Sequence, residues 1–171
     1  MCEATSDKLN VIEKQQIATK REEKSVQPLF TNAESLLEER FYHTENRYDD
    51  FYHQVLLPHR MSNFGPALSS SDINSDGLLA VFVGNGFDSN GAVYVQNEEG
   101  QFEKSEKLLQ DEKQYEDMDA LFFDADGDGD DDLYVVSGGN ALPANSTRYR
   151  DRLYENRQGI LSYVESALPS Q

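Results

Sequence analysis

One acidic hexapeptide occurs twice in this chain, and the residues after it are of the same kind both times. Asp72-Ile-Asn74-Ser-Asp76-Gly77 returns 52 positions later as Asp124-Ala-Asp126-Gly-Asp128-Gly129. Each copy runs into a short apolar stretch, Leu79-Ala-Val-Phe-Val83 and Leu133-Tyr-Val-Val136, and then into a glycine turn, Gly84-Asn-Gly86 and Gly138-Gly-Asn140. The echo continues in Val93-Tyr-Val-Gln-Asn97 against Leu153-Tyr-Glu-Asn156, and in Gly100-Gln-Phe102 against Gly159-Ile-Leu161. Runs of about five residues, rich in Val, Phe and Tyr and bounded by Gly, Asn and Asp, are too short for helices and read as strands and turns. From Phe64 onward the chain is therefore expected to be all-β. A period near 50 residues holding several short strands is the mark of propeller blades or a related array. The two apolar runs lack alternation, which predicts burial on both faces.

The repeated loops carry the chemistry. Asp124, Asp126, Asp128 and Asp132 stand at positions 1, 3, 5 and 9 of the second loop, with Gly129 at position 6 and the backbone carbonyl of Asp130 at position 7. That spacing can turn the carboxylates onto one point, and a hard cation such as Ca2+ takes six to eight oxygens at about 2.3–2.6 Å. Without a cation, carboxylates so close together repel, so calcium and loop order are expected to be coupled. The first loop offers Asp72, Asn74 and Asp76, Gly77 at position 6 and the carbonyl of Leu78 at position 7, but Ala80 stands at position 9. With fewer charges it should hold calcium more weakly. A helix-loop-helix calcium hand would need a bidentate Glu at position 12, where the second loop has Val135. A plain acidic turn that binds nothing stays open, because Asp, Asn and Gly are ordinary turn residues.

Charge narrows the partners. The 32 Asp and Glu against 15 Lys and Arg give a formal net charge of −17, which disfavours nucleic-acid phosphates and anionic membranes and favours cations and basic surfaces. Nine Phe and nine Tyr supply core-forming bulk in a chain without Trp. The single cysteine, Cys2, excludes an intrachain disulfide. It directly follows Met1, as an acylated cysteine would in a mature lipoprotein, but no apolar signal core precedes it. No apolar run reaches the roughly 18 residues that span a bilayer.

Ahead of the repeats, residues 1–27 read as a polar, loosely ordered segment and 28–63 as a lead-in. A short helix is expected after Thr31, where Thr31 and Glu34 have capping-box spacing and Leu36, Leu37 and Phe41 can share a face. The aromatic stretches Phe41–Tyr48 and Phe51–His59 are expected to form a satellite core beside the first blade, a recognition face being the alternative. His43, His53 and His59 show no regular ligand spacing and read as ordinary surface or packing residues. The acidic group Asp111, Glu112, Glu116, Asp117 and Asp119 reads as a solvated edge rather than a catalytic pair, since no nucleophile accompanies it. Asn145-Ser-Thr147 is a formal glycosylation triplet. There is no phosphate-binding glycine loop, nucleophile elbow or zinc-protease motif.

These residues together resemble a known family. Phe64-Gly-Pro-Ala-Leu68, the Asp72 loop and Val81-Phe-Val-Gly84 look like the FG-GAP repeat of integrin-like propellers, also called the VCBS repeat. Met118 to Gly139 is a stronger second match, and Asp151-Arg-Leu-Tyr-Glu-Asn156 is similar to the cartilage-acidic-protein-like group. The resemblance covers roughly Phe64 to Leu168 and departs from the family pattern at Ala80, where that pattern has Asp. It implies a partial propeller of two to three blades, calcium held between strands in the 72–80 and 124–132 loops, and an extracellular or cell-surface setting, periplasmic or outer-membrane-associated in a bacterium. Two blades leave open sheet faces, so a piece of a larger protein is expected, or self-association with copies or a partner. The expected function is a non-catalytic module that recognises a protein or glycan through its blade faces or the Ala141–Arg150 loop. Two alternatives remain: a carbohydrate-active hydrolase or lyase near Asp117–Asp119, and a purely structural segment of an adhesin.

Overall fold

The computed structural model describes residue 28, residues 30–105 and residues 114–169. The expected polar segment 1–27 with Cys2 lies outside them, as do Asp111 and Glu112. Contacts divide the chain after Thr31, and both sheets belong to the unit from Asn32 onward.

The fold is all-β, built as two four-stranded antiparallel sheets in strict chain order, which is the form of two propeller blades. The first holds β1 (Leu68–Ser71), β2 (Ala80–Val83), β3 (Ala92–Gln96) and β4 (Phe102–Lys104). The second holds β5 (Asp117–Phe123), β6 (Asp132–Ser137), β7 (Arg152–Arg157) and β8 (Ile160–Tyr163). The repeat is kept in register: Val81 pairs with Tyr94 in the first sheet, and its counterpart Leu133 pairs with Tyr154 in the second.

The sheets meet through unlike faces. The first contributes Ala80, Phe82 and Val93; the second contributes Phe122, Leu133, Val135 and Tyr154. In repeat register Leu133 corresponds to Val81, the neighbour of Phe82 that points the other way. One face of the first unit therefore packs on the opposite face of the next, as in successive blades stacking in one direction. The matching outward face of the second sheet carries Leu121 at 56% exposure, aligned across the strands with Tyr134 and Leu153. Expected burial on both faces thus holds only in part. β2 alternates buried and half-buried positions, and β6 leaves Tyr134 and Val136 half-covered.

On the other side of the first sheet, the lead-in takes the place of a preceding blade. Leu36, Leu37 and Phe41 lie over Val81, Val83, Tyr94 and Phe102 around an apolar cavity of about 340 Å3. The helix expected there does not form, which corrects the capping-box reading. Only a single 3-10 turn appears, Glu34–Leu36, with Asn32 rather than Thr31 accepting from the Glu34 N–H at 2.8 Å. Leu37 is drawn out of any helix by a parallel bridge to Phe102, and the Glu38 N–H donates to the Phe102 carbonyl at 3.0 Å. A four-residue helix, α1 (Asp50–His53), forms instead where Asp49 accepts from the Phe51 and Tyr52 N–H groups.

Two further expectations need correction. The aromatic lead-in forms a satellite core only at Phe41, which lies over the first sheet, while Tyr42, Phe51, Tyr52, Val55 and Leu56 are 41–96% exposed. Glu116 and Asp117 are not a solvated edge, being 3% and 4% exposed. Asp117 joins the sheets instead. It forms a buried ion pair with Arg152 on β7 and accepts from the Asn85 N–H of the first sheet at 2.9 Å. Arg152 also donates to Ser137 Oγ at 3.2 Å and lies 4.3 Å over the Tyr115 ring.

Candidate metal centre

The Asp124 loop is shaped by its own carboxylates. Asp124 accepts from the Gly127 N–H at 2.7 Å and the Gly129 N–H at 3.2 Å, Asp126 from Asp128 at 3.1 Å, and Asp128 from Asp130 at 2.9 Å. Gly127 and Gly129 take φ of +84° and +97°, and a side chain at Gly129 would touch nothing within 4 Å. Glycine is needed there for backbone reasons alone. The wrapped chain brings ligand oxygens of Asp124, Asp126 and Asp128 within 4.8 Å of one another, all exposed. Among the described residues this is the one such group of His, Cys, Asp or Glu. On Asp126 the Asp128 N–H acts to lower the carboxyl pKa, but desolvation and the charges of Asp128, Asp132 and Glu155 outweigh it and hold the pKa above the ordinary value. Oxygens gathered against their mutual repulsion are the donor set that a hard cation relieves.

Asp132 and Asp130 stand differently from the three. Asp132 is 2% exposed at the start of β6, and its oxygens accept from the Ala125 N–H at 3.0 Å and the Asn156 N–H at 2.7 Å. It lies close enough to bear on the Asp126 charge, yet its carboxylate is directed to backbone donors. The Asp130 carboxylate accepts from the Gln158 N–H at 3.1 Å, tying the loop to the β7–β8 turn.

The first loop has the same frame and a quieter charge. Asp72 accepts from Asp76 N–H at 3.2 Å and Gly77 N–H at 2.8 Å, and Asp76 accepts from the Leu78 N–H at 2.8 Å. Asn74 turns its amide on Asp76, donating at 2.8 Å. Ala80 is 1% exposed in the core, so no counterpart of Asp132 exists.

Sequence reasoning missed Asn156. It is fully buried, and its amide donates to the Ile73 carbonyl at 2.7 Å and the Asp131 carbonyl at 2.9 Å. One side chain thus fastens the first acidic loop to the second. The signal was its place at the end of the repeated Tyr strand, where the first copy has Gln96.

Two stacked four-stranded sheets, each entered through an aspartate loop, define a repeat module of the β-propeller class. Residues 72–135 match the family described as FG-GAP-like repeat, from the first acidic loop through most of β6. The FG-GAP-type repeat read from the sequence is borne out over that span. No curated protein and no solved structure matches the chain.

Proposed function

We propose that this protein is a non-catalytic, calcium-dependent recognition module acting outside the cytoplasm. The observation that carries the reading is the convergence of Asp124, Asp126 and Asp128 on one point. Calcium there would be held by these three carboxylates and the Asp130 carbonyl, with Asp132 behind them; the Asp72, Asn74, Asp76 and Leu78 oxygens form the weaker counterpart. Calcium sites of extracellular modules have dissociation constants of about 10⁻⁴ to 10⁻³ M, suited to the calcium outside cells. No helix among the described residues is long and apolar enough to cross a membrane.

The surface supports a partner of protein or glycan type. Beside the Ala141–Arg150 loop lies an open cleft of about 760 Å3 lined by Tyr115, Tyr134, Tyr163, Arg150 and Asp151. Aromatic faces flanked by charged groups suit a polar partner with apolar edges. The outward face of the second sheet, with Leu121 and Phe123 exposed, suits a further blade or a copy of the chain. Metal analysis of the chelator-stripped and calcium-dialysed chain tests the reading: calcium retained over magnesium supports it, and equal retention of the two ions, or retention of neither, refutes it.

A further inference from the structure

Both halves of a sheet-to-sheet contact recur on the outer sides of this molecule, and the repeat register shows how they correspond. Leu133, Val135, Tyr154 and Leu161 are part of the second sheet's side of the core, each 0–6% exposed. Their counterparts in the first sheet are Val81, Val83, Tyr94 and Phe102. Strand pairing fixes the match: Val81 faces Tyr94 as Leu133 faces Tyr154, Val83 faces Ala92 as Val135 faces Arg152, and Phe102 faces Gln96 as Leu161 faces Asn156. These same four residues are the first sheet's lining of the apolar cavity under the lead-in. The first sheet thus carries, on its outer side, the kind of face by which the second sheet docks on the first.

The complementary face lies at the opposite end. Ser69, Phe82 and Val93 align across the first sheet, with Phe82 and Val93 buried against the second. Leu121, Tyr134 and Leu153 align in the same way across the second sheet, Leu121 56% exposed and the other two half-covered. The Tyr134 hydroxyl already donates to Asp151, so its ring can be covered without orphaning a donor.

The lead-in is a poor substitute for a sheet. It leaves a cavity of about 340 Å3, and Val81, Val83 and Phe102 stay half-buried beneath it where Leu133, Val135 and Leu161 are fully covered. Over this face it is held by the Leu37–Phe102 bridge, the Glu38 N–H bond to the Phe102 carbonyl and an exposed Glu39–Lys104 pair at 3.9 Å. Stronger anchorage comes later, where the Thr44 N–H donates to Asn85 Oδ1 at 2.9 Å and Asn140 donates to Asp50 Oδ1 at 2.8 Å. Residues 32–41 can therefore leave the sheet without undoing those bonds.

We propose that the chain associates head to tail with a second copy, the Leu121, Tyr134 and Leu153 face of one docking on the Val81, Val83, Tyr94 and Phe102 face of the next, with residues 32–41 as a displaceable cap. A copy is the fitting occupant because the core between the two sheets is already this contact made once within the chain. The contact joins unlike faces, so it extends from copy to copy rather than closing as a two-fold pair. Copies of net charge −17 repel, and salt that screens them should strengthen the association. No aspartate-loop ligand belongs to either face, so the association stands apart from the calcium reading.

Sedimentation velocity of the full chain, over rising protein and salt concentration, tests this. Association should appear and grow with salt. Leu121→Glu, at an exposed position, should abolish it, while Leu36→Ala combined with Leu37→Ala should tighten it about tenfold by loosening the cap. A fluorescently labelled Leu121→Glu chain should still co-sediment with the wild type, because its first sheet is intact. A wild type that stays monomeric throughout would overturn the proposal. So would exclusion of the folded, labelled variant from wild-type assemblies, which would mean pairing of like faces, or a folded cap variant that associates no more tightly than the wild type.

Discussion

The two aspartate loops share a backbone and differ in what stands behind it. Behind the second loop is Asp132, a buried carboxylate that accepts from both the loop and β7. Behind the first is Ala80, packed in the core. At position 3 the second loop has Asp126, held against its neighbours' charge, and the first has Asn74, whose amide already partners Asp76. One loop therefore gathers charge that a cation would neutralise, and the other settles much of its charge internally. Small changes at two repeat positions turn one scaffold into a strong and a weak candidate site.

Both loops depend on a joint that holds the sheets in one frame, and breaking it should have the largest effect. Asp117→Ala removes the buried ion pair to the Arg152 guanidinium, 2% exposed, and the acceptor of the Asn85 N–H, and should cost about 3–5 kcal/mol by chemical denaturation. Asp132→Ala gives the second loop the residue of the first. It orphans the buried Asn156 N–H and should cost about 3 kcal/mol, with a loss of calcium affinity that the same change cannot cause at Ala80. Gly77→Ala and Gly129→Ala place a side chain at φ of +85° and +97° with nothing to strike, so each should cost about 1–2 kcal/mol. Unequal costs in chelator would mean that the loops are not the same frame. Asn74→Asp should tighten calcium at the first loop about tenfold, roughly 1.4 kcal/mol, in a titration of the chelator-stripped protein. An unchanged affinity would show that charge count is not what separates the loops.

Much of this was legible because it is local. The Asp, Asn and Gly spacing fixes the loop turns, and the five-residue apolar runs fix β2 and β6, since both depend on residues within one turn or one strand. What stayed hidden depends on partners far along the chain. Thr31 and Glu34 carry a helix signal that Phe102 overrides by pairing with Leu37. Glu116 and Asp117 read as surface acids because Arg152 and the Asn85 turn, which take them inside, are 32–35 residues away from Asp117. Asn156 shows its role only when Ile73, 83 residues earlier, lies against it. Local chemistry announced the candidate site, and packing between blades decided its setting.

The most direct test is calcium calorimetry on the chelator-stripped protein, comparing the wild type with Asp126→Ala and Asn74→Ala. The tighter uptake step should disappear in Asp126→Ala and persist in Asn74→Ala. Absence of calcium uptake by the wild type, or a tighter step undiminished in Asp126→Ala, would contradict the account.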